Sequence, residues 1–338
     1  MTKNNHNKKS SSAFFFLTTS QQHKQQQSSY KLPIISIDIV PYNMISLTFA
    51  LLLSLAQVKV HAFGVTEPVS ALLEKHVSDI ARLKEETQAI VGSIDESPYN
   101  NDVFYLRYCL DDKGIDELKE NLAWRQGAGK EICTSAIKAV QKASEGDKWN
   151  NAPVQSAAPF SEKICKYITP SNLLTTPSSN GDLLYCIKAG AIDDNALMSS
   201  LDSVDNMVEF FLYSKEVNAL VANDRSLTED KLIYVLTVND LQNLALIGGD
   251  ATFRQALSTA SKQATQLYPG LSGPTLLLNL PRLVSALVKL FTPLFPPQVQ
   301  ERIKFERGPL DGVNDLMTVS FGGPEREKFL KDIDALVY

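Results

Sequence analysis

A chain of 338 residues, 44% hydrophobic and 21% charged, holds enough apolar mass for one or two folded units, and this composition excludes a wholly disordered protein. The formal charge of −5 is uneven: residues 1–62 carry six of the 33 basic and one of the 38 acidic residues, which leaves a formal −10 on the rest. Such a body repels nucleic acid and acidic lipid surfaces at long range unless a local basic patch compensates, so no nucleic-acid partner is expected.

Residues 1–43 are low in complexity, rich in Ser, Gln and Lys, and show no folding period. In MISLTFALLLSLAQVKVHAF, from Met44, the apolar run Ile45 to Leu55 is too short for a spanning helix of about 20 residues. It has the length of a signal-peptide core and is followed by Val60-His61-Ala62, a small-residue cleavage pattern. Residues 1–62 are therefore read as a low-complexity and signal or targeting segment, with Met44 as a candidate functional start. His61-Ala62-Phe63-Gly64 also resembles the cleavage junction of the two-part plastid presequences of algae with secondary plastids, although Glu67, Glu74 and Asp79 follow closely for a transit peptide. The secretory route, the plastid and, if the segment is unused, the cytoplasm all stay open as destinations.

The unit 63–146 reads as helical. Val69, Leu73, Val77, Ile80, Leu83 and Ile90 recur every three to four residues, with Thr66 as N-cap, Pro68 in the first turn and Gly92 as the stop. VFYLRYCL, residues 103–110, is the next apolar element. Ile115, Leu118 and Leu122 then line a second amphipathic helix, and Ile137 and Val140 a third that begins at Ile132. Helices this short depend on packing against one another.

Residues 147–180 are rich in Pro, Asn, Ser and Gly and read as a polar connector with a short helix near 161–167. From 181 the pattern alternates. LLYCIKAG is a strand; Leu201, Val204, Val208 and Phe211 mark a long helix; 231–238 is a strand; Phe253, Leu257, Ala260, Ala264 and Leu267 mark another helix; TLLLNL is a third strand. That order predicts an α/β layer structure with a largely parallel sheet.

Chemistry-bearing clusters are scarce. Three of the four His precede residue 63, which leaves His76, and neither Gly248-Gly249 nor Gly322-Gly323 has phosphate-loop spacing. Cys109, Cys133, Cys165 and Cys186 form no close pair and read as isolated thiols. In an oxidising compartment three complete disulfide pairings would remain open. No enzyme activity, no metal and no cofactor are expected.

The segment after Pro281 stands out. Its polar residues Arg282, Ser285, Lys289 and Thr292 form one narrow stripe, and the rest of the circumference carries Leu283, Val284, Ala286, Leu287, Val288, Leu290 and Phe291, then Leu294 and Phe295. A helix resting on one sheet needs an apolar arc near 100°, so this one needs a second apolar contact. A central core position, a partner protein, a membrane surface or an internal hydrophobic ligand would each supply it. Nearby Arg282, Lys289, Arg302 and Lys304 read as solvated positions with snorkelling stems or, together, as an anionic headgroup or bilayer contact.

Tyr268-Pro269, TLLLNLP, the helix after Pro281, Thr292-Pro293-Leu294 and PPQVQERIKF resemble, in order and spacing, the signature of the CRAL-TRIO lipid-binding family. GDLLYCIKAGAID resembles its opening strand, YVLTVNDLQNLAL its second, and Phe321-Gly322-Gly323 its terminal motif. VFYLRYCL followed by DELKENLAWRQG resembles the helical domain that precedes it, where an Arg-containing helix is followed by one ending in Trp-Arg.

The resemblance implies a mixed, largely parallel sheet in residues 181–338, covered by helices and enclosing an apolar pocket, preceded by a small all-helical domain. It also implies a movable gate at 281–294. The function implied is non-catalytic binding of one lipid, phospholipid or isoprenoid-like, for transfer or presentation during transient peripheral membrane contact. The implied lining is Tyr185, Tyr234, Leu236, Val238, Leu276, Leu278, Leu287, Val288, Phe291 and Phe295; strand alternation admits only part of it, and sequence does not say which part.

Three departures bear on the ligand and the terminal motif. Gly270 stands where phosphatidylinositol-binding members have Glu, Arg302 where they have Lys, and Met317-Thr318 replaces Leu-Pro before Phe321. The alternative is an interaction or regulatory scaffold with this fold and no transferable ligand.

Overall fold

The computed structural model describes residues 67–92, 96–111, 113–146, 149–168, 173–175, 182–240, 249–278 and 303–305, all within the unit Pro41–Tyr338. The targeting segment, Thr66, the 281–294 helix and the terminal motif lie outside them.

The first helix breaks where one was expected. Helices α1 (Val69–Lys75) and α2 (Val77–Val91) meet at His76, whose φ of −104° and ψ of 14° leave the helical region. The break resets the period, so Val77 is 63% exposed while Leu72, Ile80, Leu83 and Val91 are buried. Asp230, distant in sequence, holds the start of α1. Its carboxylate accepts from Ser70 N at 2.7 Å and Ser70 Oγ at 3.0 Å, and its carbonyl accepts from Val69 N at 3.2 Å.

After α3 (Glu96–Tyr99), VFYLRYCL forms α4 (Asp102–Leu110), capped by the Asn101 side chain, which accepts from Val103 N at 2.8 Å. Val103 to Tyr108 are buried on every side of α4, which is why the segment shows no amphipathic period. Helices α5 (Ile115–Gln126) and α6 (Lys130–Ala143) follow. Leu118, Leu122 and Ile137 are buried as their spacing predicts, while Ile115 and Val140 are half-buried.

Between α5 and α6, Gly129 lies under the Trp124 ring, where an added Cβ would come within 2.5 Å of ring carbons. Gly129→Ala is expected to cost about 1–3 kcal/mol through overpacking, read from a shift in the urea midpoint.

The stretch read mostly as connector contains α7 (Asn151–Ala157), α8 (Ser161–Ile164) and strand β1 (Leu173–Thr175). Three strand residues are too few to display a period of two. Strand β2 (Leu183–Ile187), α9 (Asp194–Ser199), α10 (Val204–Thr228), β3 (Val235–Asp240), α11 (Ala251–Leu267), β4 (Ser272–Leu278) and β5 (Ile303–Phe305) complete the described elements. The sheet has the order β1-β2-β3-β4-β5; β1 is antiparallel to β2 and the other pairings are parallel. This is the mixed, largely parallel sheet expected. Because spatial order follows chain order, right-handed crossovers bring α10 and α11 to the same face.

Helix α10 was expected to bury one face through Val204, Val208 and Phe211. Of these only Val208 is fully buried, and Met207, Phe210, Leu212, Tyr213, Ser214, Glu216, Val217, Asn218 and Ala222 are buried around the remaining circumference. A core helix of this kind has no single amphipathic stripe to read.

Candidate functional site

Strand alternation gives the sheet two unlike faces. Leu183, Tyr185, Ile233 and Val235 join the core formed with α10 and α11, and Tyr185 Oη lies 3.1 Å from Ser214 Oγ of α10. Leu184, Cys186, Tyr234, Leu236 and Val238 stay outside that core, yet each is 3% exposed or less. Register pairs Leu184 with Leu236, Tyr185 with Thr237, Cys186 with Val238 and Ile187 with Asn239. The second face is sealed.

The helix-facing side is only partly sealed. Leu183, Tyr185, Val235 and Asn239 are buried, while Ile187 and Thr237 on the same face are half-buried, as are Phe211 and Lys215 on α10 and Leu257 on α11. The Tyr185–Ser214 contact sets the 211–215 turn of α10 near the Tyr185–Thr237 level of the sheet. In open parallel sheets, ligands gather at the carboxyl ends of the strands. These partly open positions form the candidate site.

The expected lining set therefore divides. Tyr185 faces α10, whereas Tyr234, Leu236 and Val238 are enclosed outside the core that contains Tyr185. They cannot line one cavity with it, because successive strand residues point to opposite faces. Leu276 and Leu278 pair in register with Val238 and Asp240, and Lys304 pairs with Leu276. Leu287, Val288, Phe291, Phe295, Arg282, Lys289 and Arg302 lie outside the described residues.

Two buried arginines join the front helices to this unit. Arg107 of α4 donates from Nε to Asn223 Oδ1 at 2.7 Å, from Nη1 to Gly270 O at 2.6 Å and from Nη2 to Ile233 O at 2.6 Å. It thereby ties together the segments entering β3 and β4; burial lowers its pKa to about 10, so it stays charged at neutral pH.

Arg125 of α5 pairs with Glu216 of α10, each side chain 1% exposed, and Tyr99 Oη donates to the same carboxylate at 2.7 Å. The Arg125 guanidinium lies 4.5 Å above the Tyr99 ring and 5.5 Å from the Tyr268 ring. Burial alone would lower the Arg125 pKa, but Glu216, Tyr99 and Cys133 hold it above the ordinary range. A crevice of about 20 Å³ at this junction is lined by Arg107, Arg125 and Glu216. It has room for one water and none for a lipid.

Single-sequence reasoning missed this network because isolated charges on helices ordinarily read as solvated. The usable signal was in α10, where Lys215, Glu216, Asn218 and Asn223 are scattered round the helix instead of forming a wet stripe.

All four cysteines are free; Cys109 and Cys165 are half-buried, Cys133 and Cys186 buried. Burial pushes Cys165 up to about 11, and Cys133 and Cys186 up to about 12, from an unfolded value of ~8.5. An acid raised on folding contributes stability that is complete below its unfolded pKa and is lost as pH rises towards the folded one. Stability should therefore decline from about pH 8.5 upward, by about 3 kcal/mol for each of Cys133 and Cys186 near pH 11, with Arg107 opposing above about pH 10. Urea midpoints in reducing buffer across this range test it, and a flat profile would contradict it.

Residues 172–311 match the family model described as the CRAL/TRIO domain, which spans β1 to β5 and the candidate site. This stretch of the chain is a CRAL/TRIO domain, a domain that binds lipophilic ligands. No curated protein matches the chain. Among the described residues no group of three His, Cys, Asp or Glu side chains is placed to hold a metal, and no helix is long and apolar enough to cross a membrane.

Proposed function

We propose that this protein binds a single lipid between its sheet and helix layer and carries or presents it between membranes, without catalysing a reaction. The observation that carries this reading is the contrast within the CRAL/TRIO domain between a sealed sheet face and a helix-facing side with half-buried positions at Ile187 and Thr237. The apolar circumference of the sequence 281–294, which needs a second apolar contact, fits a hydrocarbon guest, and its two flanking prolines make it suited to act as a gate.

Arg282, Lys289, Arg302 and Lys304 are the candidate contacts for a headgroup or for the bilayer during exchange. A phosphatidylinositol headgroup fits less well. Gly270 has φ +58° and its carbonyl accepts from Arg107, so the position where inositol-binding relatives place a Glu serves the backbone turn here. No cofactor beyond the lipid enters this reading.

Mass spectrometry of organic extracts from the full chain, purified from its native source, tests the proposal. One lipid species or class near one equivalent per chain is expected. Protein that is folded and consistently lipid-free would support the scaffold reading instead.

A further inference from the structure

The front helices and α10 leave a cleft of about 440 Å³ between them, with no strand residue in its wall. A turn builds one side of it. Gly146, at φ +106°, reverses the chain after α6, and Asn150 N donates to Ala143 O at 2.9 Å, which returns Trp149 to the end of that helix. Pro98, Val140, Trp149 and Leu220 line the cleft, and each is half-buried. A cleft of this size between packed units, mostly apolar with a few polar groups converging on it, is a common form of small-molecule site.

The polar group that matters is Asn223 of α10, which lines the cleft although it is only 6% exposed. Its Oδ1 accepts from Arg107 Nε at 2.7 Å. Because a guanidinium can only donate, this contact fixes which end of the amide faces Arg107, and Nδ2 is left without an acceptor among the described residues. Asn223 also borders the water-sized crevice beside Arg125. One water there meets one of the two Nδ2 hydrogens at most. Trp149 Nε1 is a second unmet donor, covered and without a partner among the described residues. A covered N–H with no acceptor is rare and costly, so any ring position that reaches one is favoured, and the cleft gives the ring room to shift.

We propose that this cleft is a second binding site, for a small, largely apolar molecule carrying a neutral carbonyl, with Asn223 Nδ2 as the donor to its oxygen and Trp149 as its aromatic wall. Neutrality follows from the charges. Asp224 and Arg225 line the cleft with one charge of each sign, and the body around it is acidic, so nothing there attracts an anion. Meeting the unpaired donor should favour the carbonyl compound about 5- to 10-fold over the same molecule without an acceptor. The site stands independently of the lipid-binding reading, since the sheet takes no part in it.

The test uses the full chain, isotope-labelled in nitrogen, and three probes: acetophenone, ethylbenzene, which lacks an acceptor, and benzoate, which is charged. The chain has two tryptophans, so Trp149→Phe identifies which indole N–H signal belongs to the cleft. Acetophenone at about 1 mM and above should move the Trp149 signal progressively towards saturation and leave that of Trp124 in place. It should bind at least about fivefold more tightly than either other probe. Asn223→Asp keeps an acceptor for Arg107 and removes the amide donor. Its urea midpoint should stay close to that of wild type while its acetophenone affinity falls at least about fivefold.

Equal affinity for ethylbenzene would show simple partition into an apolar groove and overturn the proposal, and a preference for benzoate would overturn the neutral assignment. A Trp149 signal that no probe moves would leave the cleft to water. Unchanged acetophenone affinity in a folded Asn223→Asp would remove Asn223 from the site. Should that variant not fold, the three probes on wild type still decide between a carbonyl site and an apolar groove.

Discussion

Replacing Glu216 with Ala is expected to destabilise the protein by about 3–5 kcal/mol, because it leaves the Arg125 guanidinium buried without its counter-charge and deprives Tyr99 Oη of its acceptor. The cost arises at the junction of three elements. Arg125 belongs to α5 and Glu216 to α10, while Asn121 bonds to both Arg125 Nε at 2.7 Å and Leu267 O, at the end of α11, at 2.6 Å. Loss of the pair therefore loosens the front helices and the helix layer of the CRAL/TRIO domain together.

Removing both charges, as Arg125→Met with Glu216→Leu, should cost less than either single change, since an apolar pair no longer bears the desolvation of two ions. Urea unfolding of the four proteins forms the cycle. Additive losses would show that the two side chains are not coupled, and would dismiss the pair as the tie between the layers.

The second large effect separates the two sheet faces at adjacent positions. Leu236→Asp places a carboxylate on the sealed face, where Leu236 is 1% exposed, and should cost at least about 4 kcal/mol, leaving little folded protein. Thr237→Asp, one residue on, points to the half-open helix side. It should leave a folded protein, destabilised by about 1–2 kcal/mol, that no longer retains lipid, because the new charge faces hydrocarbon. Circular dichroism and mass spectrometry of extracted lipid read the two outcomes. A folded Leu236→Asp that is empty, beside a Thr237→Asp that keeps its lipid, would put the guest on the opposite face.

Much of the architecture was legible in advance, for reasons visible in particular segments. Phe253, Leu257, Ala260 and Leu267 announce α11 because that helix buries one stripe and wets the other. The order of apolar runs from Leu183 to Leu278 announces a parallel sheet because each strand must be covered by the helix that follows it. Legibility fails where an element is enclosed on all sides. Helix α4 and helix α10 carry burial round their whole circumference, so periodicity says little about what each face touches. The break at His76 is equally silent, since Val77 fits the helical period and only the fold turns it to solvent.

The amino-acid order alone established a helical front, a lipophilic α/β domain and an acidic body poor in catalytic groups, because these follow from composition and from patterns only a few residues long. Which strand face is closed, and which charges meet across 91 residues as Arg125 and Glu216 do, was decided by the tertiary structure. The physical reason is that alternation along a strand offers two equivalent faces, and only packing against α10 and α11 makes them different.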